Sequence, residues 1–233
     1  MLKKIRRLLS FTLFLFSSTM LIWSYLPIQH QVDVKILLPS TMCVVSNGQV
    51  DKPALLKSRL VKLEWPKSMR IGEQEMILMD FEIVNPNGSL PEVPTEYSDA
   101  YLMYTVMAEA KFEIAGIRVE PANPTRESMP PGEPVRFKWV ISAEQAGEYS
   151  GNLWLSLRFL PLDGSTPIQV PIYVKVIGIH TISLLGLSGP MAQLVGWVGV
   201  ILSFLLVFND MINRVRRWKG KIATQGTADI KEK

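Results

Sequence analysis

The chain has 233 residues, 48% of them hydrophobic and 20% charged, with one cysteine and a formal net charge of +4. One cysteine excludes an intramolecular disulfide, so a folded domain here must rest on its apolar core alone. The positive balance does not point to nucleic acid. Residues 1–26 hold four basic and no acidic groups, residues 209–233 hold seven basic and three acidic, and the residues between hold 14 basic and 18 acidic, so the basicity sits at the two ends.

Residues 1–7 form a basic N-terminus with Lys3, Lys4, Arg6 and Arg7, and residues 8–26 are an uncharged run rich in Leu, Phe, Ile and Trp. At ~1.5 Å per helical residue such a run crosses a hydrocarbon core of about 30 Å, which predicts a first transmembrane helix. A cleaved secretory signal shares the basic start and apolar core. The exit Trp23-Ser24-Tyr25-Leu26-Pro27 lacks the small-residue cleavage pattern, which favours a retained anchor. Residues 27–56 are poorly patterned and read as a stalk or irregular segment, with a turn at Asn47-Gly48. Cys43 lies there beside Val44 and Val45 and reads as a small apolar residue.

Residues 57–180 carry the period of half-buried strands. Leu60 to Trp65 is one strand, and Met76 to Val84 another, with Ile77, Met79, Phe81 and Ile83 on one face. Tyr101 to Val119 is two strands or one bent at Gly116, and Pro121, Pro124, Pro130 and Pro131 mark an exposed loop outside any sheet interior. Val135, Phe137, Trp139 and Ile141, then Leu153, Leu155, Leu157 and Phe159, form the inward stripes of two clear strands. Ile168, Val170, Ile172, Val174 and Val176 read as a third stripe, which leaves Trp154 and Tyr173 on outward faces or under neighbouring loops. About seven strands with no convincing helix among them predict two antiparallel sheets packed face to face.

Gln145-Ala146-Gly147-Glu148-Tyr149-Ser150-Gly151 resembles the Asp-x-Gly-x-Tyr-x-Cys corner of immunoglobulin-like domains. The resemblance covers about ten residues, with Gln145 in the place of the acid and Gly151 in the place of the cysteine. It implies a structural corner in which the Tyr149 hydroxyl bonds back to the backbone. The fold class expected is mainly β: an extracytoplasmic immunoglobulin-like antiparallel β-sandwich flanked by an N-terminal and a C-terminal transmembrane helix.

Residues 181–189 read as an apolar interfacial linker and residues 190–208 as the second transmembrane helix, started by Ser188 as cap and Pro190 in the first turn. Small residues recur on both spans. Ser10, Ser17 and Ser24 repeat every seven residues on the first, while Ala192, Gly196, Gly199 and Ser203 lie on the second, a pattern that lets helix backbones approach, either within this chain or against another membrane protein. No ionisable residue falls inside either span, which argues against an ion path. Residues 209–233 form a basic tail in which Arg214, Arg216, Arg217, Trp218 and Lys219 are expected to anchor at the membrane interface. Positive charge beside both spans puts both termini in the cytoplasm and residues 27–180 outside, most simply across a plasma membrane.

No nucleophile elbow, phosphate loop, dinucleotide fingerprint or zinc motif is present. The two histidines, His30 and His180, make at best half of a zinc site. Glu92, Glu96 and Asp99 read as a solvated acidic loop before a calcium site, and Asn87-Gly88-Ser89 as a turn that also matches a glycosylation acceptor. The expectations are therefore no catalytic residues, no metal, no cofactor and no nucleic acid. The expected partners are the lipid bilayer and another membrane or extracytoplasmic protein, with a homo-oligomer as an option. The function expected is a non-enzymatic membrane-anchored module for protein binding or complex assembly. The alternative is a sensory or regulatory subunit that binds a ligand outside and relays it through the two helices.

Overall fold

The fold was obtained as a computed structural model that describes residues 2–38, 58–84, 99–206 and 208. It divides into two compact units, one of residues 28–183 and one built from the two chain ends.

The larger unit is mainly β. Among the described residues, ten strands form two five-stranded sheets, ordered β1-β2-β4-β8-β6 and β3-β10-β9-β5-β7. The strands are β1 (His30–Leu37), β2 (Arg59–Pro66), β3 (Ser68–Arg70), β4 (Gln74–Ile83), β5 (Tyr104–Ile114), β6 (Ile117–Glu120), β7 (Thr125–Ser128), β8 (Val135–Ala143), β9 (Gly147–Pro161) and β10 (Ile168–Ile182), and a short helix α2 (Asp99–Met103) precedes β5. Alternation drives the long strands: Val61, Leu63 and Trp65 on β2, Ile77, Met79 and Phe81 on β4, and Phe137, Trp139 and Ile141 on β8 are all buried. They share one core with Val106, Ala108, Ala110 and Phe112 of β5 and Leu153, Leu155, Leu157 and Phe159 of β9. Ala108 and Ala110 stand opposite Leu157 and Leu155, a pairing of small with large that keeps the layer filled. Trp139 is fully buried, stacked on Phe137 at 6.1 Å and tilted against Phe112 at 6.3 Å.

Several expectations differ from this structure. The segment 27–56 is not wholly irregular, because its first part is β1, an edge strand paired antiparallel with β2. Its pattern misleads because the aliphatic side chains Val32, Val34 and Ile36 face out, each at least 54% exposed. The sheets are not purely antiparallel, since β3 pairs parallel with β10. The proline-rich loop contains β7, which pairs only at the edge of β5, where proline is tolerated.

The stripe on β10 also fails partway. Its register against β9 shifts between Pro171 and Tyr173, at a proline that has no amide hydrogen to give to the ladder. Beyond the bulge the parity inverts, so Tyr173, Ile177 and Ile179 are buried while Val174 and Val176 are 54% and 61% exposed. Finally, Thr181 and Ile182 are not linker but the end of β10. A tight turn with a bridge between Leu184 and Leu187 follows.

The smaller unit holds α1 (Leu2–Tyr25) and a second helix, α3, described over Gly189–Leu206. By length and composition both are apolar enough to cross a membrane. The Met191 amide donates to the Ser188 hydroxyl at 3.4 Å, so Ser188 caps α3.

Candidate functional site

Within the helical unit, the small residues gather on one seam. Ser10, Ser17, Ser24, Ala192 and Ser203 are each at most 3% exposed, and Gly196 and Gly199 are buried with them. The Ser10 hydroxyl donates to the Ser203 carbonyl at 2.9 Å. A Cβ at Gly196 would come within 2.7 Å of Leu21 Cγ and 3.3 Å of the Ser17 carbonyl, and one at Gly199 would collide with the Ser17 hydroxyl. Ser10 meets residue 203, Ser17 meets 199 and Leu21 meets 196, so the helices run antiparallel. The burial of 192, 196, 199 and 203 follows a four-three-four spacing, the period of a helix seam in which small residues admit close backbone contact. Outside the seam, Leu8, Phe11, Leu15, Leu194 and Phe204 are exposed, which suits a lipid environment.

In the β unit, β1 is an edge of the first sheet, and β10 pairs beyond β9 only at its end, with the short β3, among the described residues. Asp33 of β1 bridges the two sheets: it accepts from the Tyr173 hydroxyl at 2.9 Å and pairs with Lys175 Nζ at 3.0 Å. The hydrogen bond from Lys175 holds the Asp33 carboxyl below its usual range, against a smaller upward push from burial and with help from Tyr173. Burial, joined by the facing carboxylate, pushes the Tyr173 hydroxyl up. Lys35 lies 5.6 Å from the Tyr173 ring centroid, a cation–π approach. Beside this latch an open groove of about 990 Å³ is lined by Asp33, Trp65, Lys67, Tyr149, Lys175 and His180, among others.

Tyr149 stands at the turn from β8 into β9. Its hydroxyl donates to the Gln145 carbonyl at 3.0 Å, and the same carbonyl accepts from the buried Thr181 hydroxyl at 2.7 Å. The ring lies over Gly116, which has φ of 80° and no room for a Cβ, since one would stand 2.6 Å from the ring. At Gly151 a Cβ would meet the Glu113 carbonyl at 2.6 Å, so β5 approaches too closely there for a cysteine.

Several charged groups elsewhere are paired into the scaffold. On the second sheet Glu109 accepts from Arg126 at 2.5 Å, Arg158 at 3.1 Å and Gln169 at 3.1 Å. Burial pushes the Glu109 carboxyl up, but the two arginines outweigh it and hold it below the usual range. Each histidine faces one acid, His30 with Glu75 at 3.7 Å and His180 with Glu148 at 3.9 Å. Among the described residues no three His, Cys, Asp or Glu side chains converge as metal ligands. Cys43, Asn87, Glu92, Glu96, Arg214, Arg216, Arg217, Trp218 and Lys219 lie outside the described residues.

The class defined so far is a two-sheet β domain carried in one chain with a pair of apolar helices. No protein-family model and no curated protein matches the chain. Among solved structures, the CARDB domain of a Pyrococcus furiosus protein, crystallised with di-metal ions, overlaps 66% of this chain and 89% of its own length, with a TM-score of 0.27 and 7% identity. The CooA pilin subunit from enterotoxigenic Escherichia coli overlaps 67% of this chain and all of its own, with a TM-score of 0.20 and 10% identity. Overlaps this loose carry no functional inference, so function must be argued from the residues themselves.

Proposed function

We propose that this chain is a non-enzymatic membrane-anchored assembly module, with an immunoglobulin-like β-sandwich outside the membrane and both termini in the cytoplasm. Two features support the topology. The antiparallel seam returns the chain to its starting side, and basic clusters flank both spans on that side. The β unit is compatible with it: the Lys67 amide donates to the Gln29 carbonyl at 2.8 Å and the His180 amide donates to the Lys67 carbonyl at 3.1 Å, so residues 28 and 183 leave the unit at one end.

The edge of β1 that no described strand covers carries the binding role, and its occupant is the same edge of a second copy. In Val32-Asp33-Val34-Lys35-Ile36, antiparallel self-pairing about Val34 sets Asp33 against the partner's Lys35 and Val32 against the partner's Ile36. An edge strand with exposed aliphatics invites such pairing, and the two-fold register makes it isologous. An inward charge on an edge strand normally discourages association. Asp33 is instead matched within its own chain by Lys175 and Tyr173.

The test is native mass determination of the full chain in mild detergent, with Val34→Lys, which sets like charges face to face at the axis. A dimer that Val34→Lys converts to monomer supports the role. A wild-type monomer, or a dimer indifferent to the substitution, removes the second copy as occupant. A different protein held stoichiometrically at this edge would also remove it while keeping the assembly role.

A further inference from the structure

Between the end of β10 and the Ser188 cap of α3 the chain makes one tight turn. The Leu187 amide donates to the Leu184 carbonyl at 2.9 Å, and the two residues form an isolated antiparallel bridge. The central residues, Leu185 and Gly186, have φ of 55° and 78°. Positive φ at both positions is the signature of a type I′ turn, whose first central place ordinarily goes to Asn, Asp or Gly. Leucine is a poor fit to that backbone, because its Cβ crowds the carbonyl that follows. Among the described residues Leu185 is the one non-glycine residue with positive φ. Its side chain gains nothing from the fold in return: at 75% it is the most exposed large apolar side chain described.

Such a tip is costly in water and favourable in an apolar phase, and its surroundings lead into one. No charged residue stands between Thr181 and Asn209, and Leu185 precedes the Ser188 cap by three residues, at most about 11 Å of chain. On α3 itself Met191 and Leu194 are exposed, so the apolar wall of the helix continues to the turn. At the same end of the helical unit, where α1 stops and antiparallel α3 begins, Tyr25 and Leu26 are exposed as well.

We infer that the Leu184–Leu187 turn is a lipid-inserted anchor, in which the Leu185 side chain lies among acyl chains at the bilayer boundary and fixes the depth at which α3 starts. This rests on the reading that α3 spans a membrane, and it adds a hold beyond the span. The test reconstitutes the full chain, with Cys43→Ser as background, in phosphatidylcholine vesicles. Spin labels are placed at Leu185→Cys and, as the reference on α3, at Leu194→Cys. Relaxation by oxygen, which partitions into lipid, is compared with relaxation by a water-soluble nickel chelate. Both labels should favour oxygen. A 194 label that favours oxygen beside a 185 label that favours the chelate would overturn the anchor and leave the span intact. A 194 label that favours the chelate would overturn the membrane reading and the anchor with it. Leu185→Asn, which suits the turn, should leave the circular dichroism spectrum unchanged and raise chelate relaxation several-fold at a label on Met191→Cys. An unmoved Met191 label would overturn the role in setting depth.

Discussion

The Gln145 carbonyl takes hydrogen bonds from two hydroxyls, Tyr149 at 3.0 Å and Thr181 at 2.7 Å, and this sharing sets a defined energetic signature. Thr181 is 1% exposed, so Thr181→Val loses a buried bond and should cost about 1 kcal/mol. Tyr149 is only half-buried, so water replaces its hydroxyl in part, and Tyr149→Phe should cost about 0.5 kcal/mol. In either single variant the carbonyl keeps one donor. In the double variant it loses both, and the combined loss should exceed the sum by about 0.5–1 kcal/mol. Urea unfolding of the full chain in mild detergent, followed by tryptophan fluorescence, gives the four free energies of the cycle. Additivity within about 0.3 kcal/mol would refute the shared-acceptor account. A null effect of Thr181→Val would remove the link between the end of β10 and the turn into β9.

Two further predictions concern the helices and the pH dependence. Gly199→Leu forces side-chain volume against Ser17 and should cost about 1–3 kcal/mol of helix packing; spin labels on α1 and α3 should move apart while the β-sheet dichroism is retained, and an unchanged distance would count against the seam. Asp33 and Glu109 titrate below their ordinary values, so their stabilisation is present above about pH 4 and is lost as the pH falls through the depressed values. Glu75 titrates above its ordinary value, mainly through burial, with His30 lowering it, Glu73 raising it and Arg70 lowering it; its contribution is present at low pH and lost as the pH rises through the raised value. Asp33→Asn should therefore flatten the acid limb of a melting-temperature profile, and Glu75→Gln should remove a decline on its neutral side. A profile unchanged by either substitution would contradict these directions.

The strands with inward apolar faces were legible because burial and period agree: β2, β4, β8 and β9 carry them at every second residue. β1 was not, because it inverts the rule and turns aliphatic side chains outward. On β10 the inward set was misread because one bulge beside Pro171 exchanges the faces, and no local composition announces which face follows. β3 and β7 have three and four residues, too short for a period to register. Among the candidate sites, the helix seam could be read from small-residue spacing alone. The Asp33 latch could not, since its partner Tyr173 lies 140 residues further along the chain and only the fold brings the two together.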